Sequence, residues 1–440
     1  MNTRSARPRL WHNWAGTVSC EPAYCAYPVT LEQIQSEVMR ISEEGERLRV
    51  IGSGHSFSEL CWADENHLSL SRFTGIDSVD FQRRRVWVRA GTQLHRLTES
   101  LADRGLALEN APDLDRQTLA GALATGSHGT GGTFGNLATL VTGLRMVRTD
   151  GAVSAMTADG DPETFHAHVV ALGALGVVTH IELQCVDDYR LRVDNRSATL
   201  GEALERLDEL RRDHRNSSFY WFPNTHSALI RTADVTRDRP TALAPVQRGL
   251  RQRINRNTFA GMSLIARHMP QTADRMTQIS LQMLANRSEV YHARNAYTFS
   301  HPGRFQQMEY ALPVEHTVAV LRALQRAIGA LSIRIPLPIE VRFVAADPHW
   351  LSPHSQRDSV CISIPAYTDM ESAAYFEPLV EIFDRYDGRP HWGMVHKLRA
   401  EALTRLYPRF EDFRELRRQA DPRGLLLNRH LARLFAESLR

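Results

Sequence analysis

The chain has 440 residues, enough for two domains and a sizeable core. A formal net charge of +3 is too small to argue for a nucleic-acid partner, and no apolar run reaches the length of a membrane helix or a secretory leader. Five cysteines (Cys20, Cys25, Cys61, Cys185 and Cys361) are too sparse, and odd in number, for a disulfide framework. Cys20 and Cys25 have no second pair at zinc spacing, so no metal site is expected. The expectation is a soluble, cytoplasmic protein.

In chain order, Thr30 with Gln33 reads as a capping box, and Leu31, Ile34, Val38 and Ile41 then recur at helical spacing. Leu48, Val50 and Ile51 form a short strand that runs into Gly52-Ser53-Gly54-His55-Ser56. Val86, Val88 and Ala90 make another strand, after which Thr92 is expected to cap a helix carrying Leu94, Leu97 and Leu101. Residues 144–153 read as a hairpin around Thr149-Asp150-Gly151, and residues 179–184 alternate apolar and polar. Residues 15–187 therefore form one α+β module of short strands and helices. From 188 the pattern shifts: helices over 200–211 and 314–331 are interleaved with strands over 218–222 and 338–344. Pro240 and Pro245 mark a loop, and Arg248, Arg251, Arg253 and Arg256 read as a solvated helical face.

Three segments carry chemistry. In the first, Gly52 and Gly54 leave backbone amides bare, so the turn can cradle a phosphate while presenting His55 beside the ligand. It is not the Rossmann fingerprint, because Phe57 stands where the third glycine belongs. Alone, such a loop is an ordinary strand-to-loop junction. The second segment, residues 118–132, is almost wholly small side chains, hydroxyls and glycines, including Thr118, Gly121, Thr125, Gly126, Ser127 and His128. It offers a core little apolar area, and a flat polar ligand against backbone explains it better. The third, residues 172–181, repeats the small-residue approach before a strand that begins at Val177 and Val178. Further on, Glu340 and Arg342 share one face of a strand whose other face is Ile339, Val341 and Phe343. They are either a surface pair or an inward pair that serves a site.

Together these segments resemble the flavoprotein oxidoreductases of the vanillyl-alcohol oxidase superfamily. More narrowly they resemble its aldonolactone and alditol oxidase branch, which includes gulonolactone, arabinonolactone and xylitol oxidases. The likeness continues through Met308-Glu309-Tyr310-Ala311-Leu312-Pro313, Ile339-Glu340-Val341-Arg342 and His391-Trp392-Gly393. It ends in Asp421-Pro422-Arg423-Gly424, Asn428 and the run from Leu431 to Phe435.

The resemblance implies an α+β architecture: a PCMH-type FAD-binding domain over 15–187, a cap domain with an antiparallel sheet flanked by helices over 188–404, and a C-terminal segment, 405–440, returning to the first. It implies FAD held by Val50, Gly52, Ser53, Gly54, His55, Ser56, Thr118, Gly121, Thr125, Gly126, Ser127, His128, Val177 and Val178, with His55 joined covalently to the 8α carbon. It implies hydride transfer from a CH–OH carbon of a polyol, sugar or lactone to flavin N5, with oxygen giving hydrogen peroxide. Glu340, Arg342 and His391 would carry catalysis, His391 as base or orienting group. Asp113, Glu340, Arg342 and Met394 would meet substrate.

Two positions depart from the branch: Met394 replaces its usual lysine, and Asp113 a common serine. Both make the pocket more negative, against anionic sugar acids and toward a neutral polyol or an amine-bearing substrate. The alternatives are a dehydrogenase using a quinone or cytochrome, and a flavin-binding subunit that has lost catalysis. A hydrolase is disfavoured, since neither Gly-x-Ser-x-Gly nor His-Glu-x-x-His occurs.

Overall fold

The structure, a computed structural model, describes residues 4–5, 10–223, 225–241, 281, 285–298, 304–331 and 337–439. Pro245 and the arginines at 248, 251, 253 and 256 lie outside the described residues.

Thr30 adopts an extended backbone and its hydroxyl accepts the Gln33 N–H, so the first helix, Leu31–Glu44, starts where the capping pattern predicts. It ends at Gly45, whose φ of 71° only glycine adopts freely. The strand Leu48–Ile51 pairs parallel with Asn66–Ser69, which pairs parallel with Tyr24–Ala26. A second sheet of five antiparallel strands runs in the order Val153–Thr157, Val141–Val147, Val177–Gln184, Arg85–Arg89, Ile76–Asp80. The expected hairpin at Asp150 is its first pair, closed by Gly151 at φ 79°.

Two local expectations are corrected. Thr92 does not cap the following helix, which begins at Leu94 after Gln93. The Thr92 hydroxyl instead donates to the Arg89 carbonyl at 2.7 Å and accepts the Gly75 N–H at 2.9 Å, tying two chain segments together. The helix expected over 200–211 is two, Leu200–Glu205 and Leu207–Arg212, broken at Arg206. Leu204 and Leu210, six positions apart, would face different ways on a straight helix; the break lets both enter the core.

The second half is organised by an eight-stranded sheet. Its order is Arg287–His292, Arg190–Thr199, Ser227–Val235, Asn216–Trp221, Ile339–Val344, Ser359–Tyr367, Phe305–Pro313, Arg389–Pro390. All described pairings in it are antiparallel. One face carries Phe219, Trp221, Met308, Tyr310, Ile339, Val341, Phe343 and Ile362, buried with residues of the helices Thr317–Ala330 and Ala373–Arg385. Alternation sends Tyr220, Glu309, Glu340, Arg342 and Ser363 to the opposite face. Glu309 and Glu340 both stand opposite Ser363, and Glu340 also stands opposite Tyr220, so four strands contribute one polar rung.

The first half has its own core, which also takes in Trp350, Leu351, Trp392 and residues from Ala400 to Phe435. Among the described residues, no helix is long and apolar enough to cross a membrane, and all five cysteines are free.

Candidate active site

Gly52 is dictated by a close approach: a Cβ there would lie 2.3 Å from the Thr118 hydroxyl, so the two small-residue loops touch. Gly54 sits at φ 68° and its carbonyl accepts the Trp14 N–H at 2.7 Å. Asn13 donates to the Ser56 carbonyl at 3.0 Å, and the Phe57 N–H donates to the Gly393 carbonyl at 2.6 Å. The loop is thereby fixed between the N-terminal segment and the His-Trp-Gly turn. Beneath it, buried Arg49 donates to the carbonyls of Leu60, Leu172, Gly173 and Leu426, so one guanidinium joins four chain segments. Burial pulls its pKa down to about 10, and it stays charged at neutral pH.

Two cavities meet at these loops. The first, about 960 Å³, is mostly apolar and lined by Val50, Gly52, Ser56, Thr118, Gly121, Thr125, Gly173, Gly176 and Val178 among others, with Arg49 at its wall. The second, about 1590 Å³, is polar and lies against the large sheet. His55 faces the second and Ser56 the first; Gln117 and Thr118 divide the same way, as do Ser127 and Thr125. The same loops thus wall both spaces, which together are called the trough below. Of the expected cofactor residues, Ser53, Gly54, Gly126 and Val177 line neither cavity. Gly54 and Gly126 shape their loops through positive φ, Val177 points into the core, and the Ser53 hydroxyl accepts from Gln93.

The polar chamber brings together Asp113, Glu340, Arg342, His391 and Met394, all predicted, and Glu309, the acidic residue of the Met308-Glu309-Tyr310 motif. Arg342 donates to Glu309 at 2.5 Å, lies 3.7 Å from Glu340 and 3.5 Å from Asp113. Burial opposes its charge, but Glu340, Glu309 and Asp113 hold its pKa well above the usual range. Glu309 accepts from the Ser363 hydroxyl and from His128 Nε2 at 2.9 Å. Burial opposes ionisation here too, yet Arg342 and His128 hold its pKa well below normal. The other nitrogen of His128 faces the Gly129 carbonyl at 2.8 Å. Both ring nitrogens therefore face acceptors and both must donate, so His128 is an imidazolium. Burial opposes this charge; the Cys361 sulfur and the Glu309 carboxylate outweigh it and push the pKa up to about 10.

His391 is the opposite case. The Gly393 N–H donates to its Nδ1 at 3.1 Å, so the neutral ring carries its proton on Nε2 and offers a donor, not a base. Burial draws its pKa down to about 4, and does the same for His55. Met394 joins Trp14, Phe57 and Phe305 in the apolar part of the chamber wall, with the Trp14 ring 5.8 Å from His55. His128, His354 and Cys361 lie close enough to hold a metal, but both nitrogens of His128 are committed as donors and cannot ligate.

The D-arabinono-1,4-lactone oxidase family model matches residues 181–434, and an FAD binding domain model matches residues 22–157. The chain belongs to the D-arabinono-1,4-lactone oxidase family.

Over 426 residues it is 33% identical to an L-gulono-1,4-lactone dehydrogenase of Mycobacterium tuberculosis, covering 97% of this chain and 99% of that one. It is 31% identical over 432 residues to an alditol oxidase of a Streptomyces species (96% and 98%), and 30% identical to an L-gulonolactone oxidase of Scyliorhinus torazame (97% and 98%). In fold it is similar to a cholesterol oxidase of Brevibacterium sterolicum, with a TM-score of 0.79, 15% identity and 98% of each chain covered. The protein is an FAD-dependent oxidoreductase acting on CH–OH donors, built on a PCMH-type fold.

The trough fits that cofactor. Its apolar end is lined by Gly52, Gly91, Gly121, Gly173 and Gly176 among larger apolar side chains, and Ser127, whose buried hydroxyl has no partner, lines its polar end. Glu309 and Arg49 were missed by the sequence reading. Glu309 was detectable as the lone charged residue of the strand Phe305–Pro313; Arg49, between Leu48 and Val50, carries no local signal of its role.

Proposed function

We propose that the protein oxidises a carbinol carbon of a polyol, sugar or sugar lactone with a flavin tethered through His55, in the chamber between the loops and the large sheet. The units are the flavin-binding region, residues 15–187 with 405–440, and the cap, 188–404. FAD bound there would supply the hydride acceptor and the route of the electron pair to oxygen, giving hydrogen peroxide. Val50, Gly52, Ser56, Thr118, Gly121, Thr125, Ser127, His128 and Val178 would hold it, with Gly54 and Gly126 shaping their loops. The tether is supported by the neutral imidazole of His55, which keeps a nucleophilic nitrogen at neutral pH inside the chamber.

Arg342 steadies negative charge developing on substrate oxygen, and Glu340 and Asp113 accept the substrate's hydroxyl protons. His391 orients the donor from Nε2; acting as base would need the other tautomer and the loss of its Gly393 bond. The observation that carries this reading is the meeting of Glu340, Arg342, His391 and His55 in one chamber. A second reading, transfer of electrons to a quinone or cytochrome, is favoured by the name of the Mycobacterium tuberculosis relative, a dehydrogenase. Peroxide yield under air during polyol or lactone turnover decides between them, since a dehydrogenase makes little. The reading places the enzyme in the cytoplasm, working on a small molecule with no nucleic-acid partner.

A further inference from the structure

Arg49 carries a charge that the described residues leave unbalanced. It is 4% exposed and lies on the strand that runs into the first glycine turn. Its Nε donates to the Leu60 carbonyl at 3.0 Å, Nη1 to those of Leu426 and Gly173 at 2.8 and 3.4 Å, and Nη2 to that of Leu172 at 3.0 Å. A guanidinium has five N–H groups, so one on Nη2 is left over. All four partners are neutral, and among the described residues no carboxylate pairs with Arg49. Asp421, near the Leu426 turn, is instead taken by the Leu425 and Leu426 N–H groups at 2.8 Å, with Arg417 at 3.7 Å. The titratable groups that feel the charge of Arg49 are Cys61, His67 and His430, all neutral at pH 7. A buried cation without a counter-charge is costly unless something supplies the anion.

Its surroundings say where that anion sits. Leu60, Leu172 and Gly173, whose carbonyls hold the guanidinium, all line the apolar cavity of the trough, as does Gly52 at the end of the same strand. A Cβ on Gly173 would lie 3.6 Å from Nη2, so glycine there leaves that edge of the guanidinium uncovered by a side chain. We propose that Arg49 is the counter-charge of the FAD diphosphate, a positioning residue that makes the cavity prefer a charged dinucleotide. This rests on the flavin reading above and goes beyond it, because the anion contacts expected there were backbone amides alone. Four N–H groups fix the guanidinium in advance, so binding the anion needs no ordering of a free side chain.

The test uses the holoenzyme in a His55→Ala background, so that bound flavin exchanges without a tether. ADP and adenosine are each titrated against bound FAD, read by the fluorescence of released flavin. The competitors differ only in the diphosphate, so the ratio of their inhibition constants isolates the charge and cancels any general loosening of the loops. ADP is expected to lose about ten-fold or more of its advantage in Arg49→Met. Arg49→Lys should keep most of it, since it retains the charge although it cannot hold four carbonyls. Arg49→Gln repeats the comparison if Arg49→Met does not fold. An unchanged ratio in the neutral variants, or an equal fall in Arg49→Lys and Arg49→Met, would mean that Arg49 only ties chain segments together, and overturns the proposal. FAD that stays bound with an unchanged ratio overturns the role of Arg49 alone; a protein that binds no FAD in any form overturns the flavin reading as well.

Discussion

Glu309 and Arg342 form a 2.5 Å ion pair in which neither side chain reaches water appreciably, and it joins two strands separated in the sheet by the strand that carries Ser363. The pair is the electrostatic centre of the chamber: Arg342 reaches onward to Glu340 and Asp113, and Glu309 to His128 on the flavin-loop side. Removing one partner of a buried pair leaves the other charge uncompensated. Glu309→Gln is therefore expected to destabilise the protein by about 3 kcal/mol in chemical denaturation. It should also return His128 to the neutral state at pH 8, seen in its imidazole NMR signals. Unchanged stability with His128 still protonated would contradict the arrangement.

His391 separates two roles that sequence leaves open. As a donor from Nε2 it can be partly replaced by an amide, so His391→Gln should keep more activity than His391→Ala, which is expected to lose about 100-fold in kcat/KM. The wild-type profile of kcat/KM should show no limb near pH 6.5 from this residue, because the ring stays neutral down to about 4. A limb near 6.5 that disappears in His391→Gln would restore the base role.

Stability should fall on acidification. His67, His349, His391 and His430 are buried, and burial lowers their pKa to about 4, 3, 4 and 2. An unfolded histidine takes up its proton near pH 6.5, so below that value the unfolded chain binds protons the folded chain does not. Each such ring then weakens the fold by about 1.4 kcal/mol per pH unit until its folded pKa is reached. His128 has the opposite sign: its raised pKa gives stability that is complete below pH 6.5 and lost as pH rises through about 10. Melting temperature measured from pH 4 to 10 should rise to near neutrality and fall at the alkaline end. A flat acid limb would exclude the buried neutral rings.

The contact between the two loops can be tested by a pair of substitutions. Gly52→Ala places a methyl 2.3 Å from the Thr118 hydroxyl, so flavin content and melting temperature should both drop. Adding Thr118→Ala removes the clashing oxygen and should recover part of the melting temperature, a coupling that independent sites would not give. Additive losses would mean the loops do not touch.

Much of the site was legible because period-two alternation and small-residue runs are local signals. Glu340 and Arg342 share a face by spacing alone, and Gly52 and Thr118 announce a tight approach even before their partner is known. Glu309 was harder, since its significance lies in partners at 128, 342 and 363 that only the sheet register brings near. Arg49 hides for the same reason: all four of its carbonyl partners belong to other segments. Thr92 and Arg206 went astray where tertiary bonds and burial outweighed local propensity.

The central claim is that one trough holds FAD beside a chamber for a CH–OH donor. Anaerobic addition of polyols, amino-polyols and aldonolactones to the purified holoenzyme, followed at the flavin absorbance, tests it most directly. The account predicts bleaching by at least one of these donors and recovery with hydrogen peroxide when air is admitted. A protein that emerges colourless and takes up no added FAD, or a flavin that none of these donors bleaches, would contradict it.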